Sequence, residues 1–346
     1  METLKRILAA VLPLAVVALW GCGGDSSSVP IKAVDRDAVF VVNGASSMIS
    51  VLDAASLESL GTIRLEDSPF PHHISLSPDR DSLVVAIPGA DLSEGHGGGH
   101  AGHGVKGKLL LLDARTGATR AARQFDAMNH NGAFSPDGTE VWTAQMTMPG
   151  SVVVVDAKTL APRQTIDVGD MPAEVTFSPD GKYAFVANGA SDNVTVIDAA
   201  TKTVVKTVPV GANPVGAWPG NDGLMYVDNE DGKSLTVIDA STHAVVHTYA
   251  LGFTPAMAAT APTGELWVTD TENGRLIFFA AGTTTSLQEL TTGEGAHAIT
   301  FSPDGVTAFV TNQAAGTVSV VDVASRSVRK TLTVGDKPNG LVFRKN

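Results

Sequence analysis

The sequence predicts an all-β fold: a seven-bladed propeller of four-stranded antiparallel blades, its ring closed by N-terminal strands b, c and d together with a C-terminal strand a. Three observations predict it. A Ser-Pro-Asp-like turn recurs with its prolines at 78, 136, 179, 219, 262 and 303, spaced 58, 43, 40, 43 and 41 residues apart. Short period-two runs flank every turn, as in Glu174-Val175-Thr176-Phe177 before one and Ala184-Phe185-Val186-Ala187-Asn188 after it. The two chain ends carry complementary parts of one more repeat: Val39–Leu65 supplies three strands and Gly340–Phe343 supplies one.

Each element follows from local chemistry. Ser77-Pro78-Asp79, Ser135-Pro136-Asp137-Gly138, Ser178-Pro179-Asp180-Gly181 and Ser302-Pro303-Asp304-Gly305 are hairpin turns between strands a and b. Proline presets one turn dihedral there, and glycine supplies positive φ. Strand c is a Val-x-Val-Ile/Val-Asp run such as Val194–Asp198 or Val318–Asp322, and strand d a Val/Thr run ending at glycine. Asp198, Asp239 and Asp322 recur at one repeat position, which marks them as turn formers. Four short strands per repeat of about forty residues make a blade, and joining the chain ends removes the exposed sheet edges that would otherwise invite aggregation.

Outside the repeats, Lys5 and Arg6 precede an apolar stretch over Ile7–Leu19, and Leu19-Trp20-Gly21-Cys22 follows. This is the layout of a secretory signal, and the Leu-x-Gly-Cys ending resembles the lipobox of bacterial lipoproteins. The expected organisation is a signal peptide over 1–21, a flexible tether over 22–33 after a lipidated Cys22, and a propeller over 34–346 with an insertion at 89–107. Cys22 is the sole cysteine, which excludes an intrachain disulfide and a thiolate nucleophile elsewhere. A formal net charge of −12 argues against nucleic acid as a partner. The expectation is a monomer in the cell envelope, facing the periplasm or the surface and held to a membrane by its lipid alone.

The histidines are unevenly placed. At the start of strand a, five residues before each turn's serine or its aligned equivalent, the ring reads His72, His130, Ala173, Pro214, Ala256, His297 and Asn339. Three neutral imidazoles facing one channel make a donor set for Zn²⁺, with copper as the alternative. His73 follows His72 and, by strand alternation, should turn into the blade, so it ranks with Asn129, Asn131 and Asn339 as a supporting residue. The insertion carries His96, His100 and His103, with six glycines among the eleven residues 94–104. Short His-rich tracts bind metals, and a b–c loop emerges at the end of the blade where strand a begins. Methionines 48, 128, 146, 148, 171 and 257 fall near the same end and read as packing residues.

The Phe-Val-Ala-Asn and Phe-Val-Thr-Asn runs at 185–188 and 309–312, with their Ser-Pro-Asp-Gly turns, resemble the YVTN/YncE-type propeller repeat. That resemblance implies the fold and leaves the function open. Architecture and histidine placement together resemble periplasmic zinc metallochaperones of the AztD type. By that resemblance His72, His130 and His297 hold the metal, and His96, His100 and His103 capture it or pass it to a transporter's binding protein or another envelope protein. No nucleophile elbow, phosphate loop, His-Glu-x-x-His helix or haem-attachment motif occurs, and the expectation is a non-enzyme. The other classes are a protein- or glycan-binding scaffold and a copper- or haem-related propeller enzyme.

Overall fold

The computed structural model describes residues 29–93, 104–280 and 282–346. They form seven four-stranded antiparallel sheets. Numbered from the first Ser-Pro-Asp turn, blade 1 holds strands Ile74–Leu76, Ser82–Ile87, Lys108–Asp113 and Thr119–Gln124, lettered a to d. Blades 2 to 6 follow in chain order. In blade 7, Pro338–Arg344 pairs with Ala38–Asn43, with Val39 opposite Phe343, and Met48–Asp53 and Ser59–Arg64 complete the sheet. The predicted closure by both chain ends is observed. The signal segment, Cys22 and the insertion histidines 96, 100 and 103 lie outside the described residues. Among the described residues no helix is long and apolar enough to cross a membrane.

The repeated turns show why their residues recur. Ser135 Oγ donates to Asp137 Oδ1 at 2.6 Å and accepts the Glu140 N–H at 3.0 Å; Ser178 does the same with Asp180 (2.8 Å) and Tyr183 (3.0 Å). One hydroxyl thus ties the turn to the first residue of strand b. The aspartates closing strand c act as expected: Asp156 Oδ1 accepts the N–H groups of Lys158 and Thr159, and those bonds with the Thr159 hydroxyl pull its pKa down to about 2.

The cores lie between blades. Phe40, Trp142, Phe185, Trp267 and Phe309, all from strand b, are fully buried. Phe309 of blade 6, for instance, packs with Val39, Val41 and Leu341 of blade 7. Burying both faces of every sheet is what makes strands b and c near-continuous apolar runs. Strand a, at the inner edge, is left to line the channel.

Candidate metal centre

Strand a of blade 1 begins irregularly. The His72 N–H donates to Ala86 O at 2.9 Å, while the Ala86 N–H donates to His73 O at 2.9 Å. Two residues therefore face one, which is a β-bulge, and a bulge re-aims side chains that alternation would separate. The ladder resumes with Ile74 opposite Val85. Similar register shifts open strand a in blades 3, 4, 5 and 6. On the other side, the Gly340 N–H of blade 7 donates to His72 O at 2.9 Å.

The bulge corrects the expectation that His73 turns into its blade. His72, His73 and His130 bring one ligand atom each to within 4.8 Å of one another. Ring centroids are 4.3 Å apart for His72–His130 and 4.8 Å for both His72–His73 and His73–His130. Glu174, the third residue of strand a in blade 3, completes the group: its Oε1 stands 3.0 Å from His73 Nε2 and 3.0 Å from His130 Nδ1. His73 Nε2 and Glu174 Oε1 are buried atoms without an aligned hydrogen bond. A divalent cation would satisfy the converging lone pairs, and three imidazole nitrogens with one carboxylate oxygen are a common zinc donor set.

His297 lies beside the group, its ring 5.7 Å from that of His72 and 6.2 Å from that of His73. The asparagines divide by role. Asn131 clamps blade 3, donating to Val175 O at 2.9 Å and accepting the Val175 N–H at 3.1 Å, with Nδ2 3.5 Å from Glu174 Oε2. Asn339 Nδ2 donates to Pro71 O at 3.4 Å, just ahead of the bulge. Asn129 bridges blades 1 and 2, its Nδ2 donating to Lys108 O at 3.3 Å and to the Thr143 hydroxyl at 3.4 Å.

The group is not at an open mouth. His72 and His130 are each 1% exposed. At the insertion end of blades 1 to 3, Met128, Met146 and Met171 pack with Leu92 as an apolar cluster, the packing role expected of them. On the other side lies a channel cavity of about 550 Å³, with His73 and Glu174 at one end and Pro78, Pro136 and Pro219 of the a–b turns at the other.

Three residues that matter here escaped the sequence reading. Glu174 follows Ala173, the repeat equivalent of His72, and so holds the position of His73; it becomes visible only if two successive positions of strand a face the channel. Trp218 and Asp228 are the others. Asp228 Oδ1 accepts the Trp218 Nε1–H at 2.6 Å and the Gly216 N–H at 3.1 Å. Asp228 is completely buried, and that desolvation, reinforced by the Glu174 and Glu230 carboxylates, pushes its pKa well up. Asp228 occupies the strand-b position held by Thr269 and Thr311 in blades 5 and 6, whose hydroxyls donate to strand-a carbonyls of the next blade.

The fold and this channel define a seven-bladed β-propeller with a buried His–Glu cluster. A sequence family described as PQQ_2, outer membrane protein assembly factor BamB, matches residues 128–276. No curated protein matches the chain in sequence. Among solved structures, the periplasmic gluconolactonase PpgL of Pseudomonas aeruginosa is similar at a TM-score of 0.72 and 20% identity, over 89% of this chain and 99% of that one. The dihydro-heme d1 dehydrogenase NirN is similar at 0.65 and 17%, over 91% and 77%. Hydrazine synthase of Kuenenia stuttgartiensis is similar at 0.63 and 18%, over 79% and 89%. At these identities the likeness is one of fold.

These neighbours correct the expectation of a non-enzyme. All three are named as enzymes on the same ring of blades, so a missing motif does not exclude catalysis from a propeller.

Proposed function

We propose that this chain is a metal-binding propeller of the cell envelope, anchored through Cys22, in which His72, His73, His130 and Glu174 hold one divalent ion, zinc before copper. The carrying observation is the single Glu174 oxygen standing 3.0 Å from two imidazole nitrogens in a three-histidine group of which His72 and His130 are buried. The donor chemistry favours zinc over Cu⁺: the ligands are nitrogen and oxygen, and the thioethers nearest the insertion pack among themselves. Burial of His72 and His130 supports an ion that stays in place, and the adjoining cavity gives it a free side. A resident ion with an open position can polarise a carbonyl or activate water, and one protein of similar fold is named a gluconolactonase.

A second reading is metal delivery of the AztD type. The chain position of His96, His100 and His103 favours it, since they fall between Ile87, which ends strand b of blade 1, and Lys108, which opens strand c. Its recipient would be a transporter's binding protein or another envelope protein.

Metal content of the purified chain tests the proposal. One zinc per chain is expected in the wild type and after deletion of 94–104, with none in His73→Ala/Glu174→Gln. Absence of tight zinc and copper from the wild type would overturn it. Zinc that leaves to an acceptor protein quickly only when 94–104 is intact would favour delivery.

A further inference from the structure

We infer that the channel cavity is a binding site for an uncharged, largely apolar small molecule carrying an oxygen that meets the metal; this rests on the metal reading above. The volume of about 550 Å³ is that of a small-molecule pocket. Its walls carry Leu76, Phe134, Phe177, Ile299 and Phe301, and among the described residues no Lys, Arg or Asp lines it. Glu174 and His73 are its ionisable lining groups, and both belong to the proposed ion. An anionic or phosphorylated ligand would find no cation besides that ion.

Much of the polar lining is already engaged by the protein itself. Asn131 holds the Val175 backbone, Ser135 donates to Asp137, the Thr176 hydroxyl donates to Ala217 O, and Thr260 Oγ1 accepts the Asn221 N–H. A sugar-like ligand needs those groups free, whereas an apolar one does not.

Trp218 adds a fixed platform. Its Nε1–H is pinned by the fully buried Asp228, its ring centroid lies 6.2 Å from that of His73, and it lines the cavity. An indole held this way loses little freedom when a flat or apolar group packs on it, which is the condition for tight binding.

The test uses the purified chain loaded with Co²⁺, whose visible absorption reports ligands entering its shell. Octanohydroxamic acid, neutral in solution, is expected to bind at least about 10-fold tighter than acetohydroxamic acid, because its extra methylenes would be buried against the channel wall. Gluconate should bind more weakly than either. Equal affinities for the two hydroxamates, or gluconate as the tightest of the three, would overturn the inference while leaving the metal reading intact.

A metal-independent arm separates the two. The neutral dye N-phenyl-1-naphthylamine should bind the chelator-treated chain and quench tryptophan emission. The quenching should be reduced in Trp218→Phe, since Trp218 is the tryptophan that lines the cavity. Ala133→Asp, which places a charge in the wall, should abolish dye binding without reducing Co²⁺ uptake. Dye binding without Co²⁺ uptake would overturn the metal reading and keep the channel site. Co²⁺ uptake with no dye binding would overturn the channel site.

Discussion

His73 Nε2 stands 3.0 Å from Glu174 Oε1, although simple strand alternation would have turned His73 away from the channel. The bulge opposite Ala86 brings it there, and the consequence is a cluster of consecutive residues from blade 1 with one residue each from blades 2 and 3. His297, from blade 6, stands beside it.

That asymmetry predicts unequal losses of metal. His73→Ala and Glu174→Gln should each weaken zinc binding by more than about 100-fold, while His297→Ala should cost about 10-fold, the low end of the range for a residue that touches a ligand without being one. Competition titration against a chromophoric chelator measures all three. A larger loss for His297 than for His73 would return the site to the triad of 72, 130 and 297.

Gly340 sets how closely blade 7 approaches the bulge. A Cβ there would meet His72 O and His73 Cα at 3.0 Å. Gly340→Ala is expected to displace the bulge by a few tenths of an ångström and to lower zinc affinity by roughly 10-fold, because donor geometry is strict. The thermal midpoint of the metal-free chain should move little. Unchanged affinity would show that the bulge tolerates the shift.

The fold was legible because its signals repeat. A turn such as Ser178-Pro179-Asp180-Gly181 carries its own chemistry, and six copies in register leave little choice of architecture. The histidines at 72, 130 and 297 were legible for the same reason, as departures at one repeat position. Glu174 and His73 were not, because a bulge at the start of strand a is written in backbone pairing and has no residue signature of its own. Asp228 was hidden differently: in sequence it is one carboxylate among many, and only its burial against Trp218 sets it apart. The absence of an enzyme motif does not exclude catalysis, since active groups on a ring of blades can be scattered over repeats and form no linear pattern.

Asp228 gives a pH prediction. Its native pKa is raised, chiefly by burial. Below about pH 4, near the ordinary carboxyl value, both native and unfolded chains carry the proton. Above that, the unfolded chain ionises while native Asp228 holds its proton, so its contribution to stability declines as pH rises toward the native pKa. Asn keeps an acceptor for Trp218 Nε1 and does not ionise. The midpoint of Asp228→Asn relative to wild type should therefore rise between pH 5 and pH 8, measured by thermal melting with chelator present. Parallel melting curves would show that Asp228 is already ionised in the native chain.

Ring closure can be tested by moving one strand. In blades 1 to 6 strand a precedes strand b in the chain, but in blade 7 Pro338–Arg344 arrives last and pairs with Ala38–Asn43. Deleting 338–346 would bare the edge of Ala38–Asn43, whose residues are all buried, and strip Leu341 and Phe343 from the cluster around Phe309. Loss of that strand is expected to yield aggregated protein, since an apolar unpaired edge is a template for association. Placing 336–346 ahead of Asp37 through a Ser-Pro-Asp-Gly turn restores the order used by the other blades, with Ala38 already opposite Arg344. That permutant should be monomeric by light scattering and melt within a few degrees of the wild type. If the deletion alone stays monomeric and cooperative, closure by the C-terminal strand is not what holds the ring.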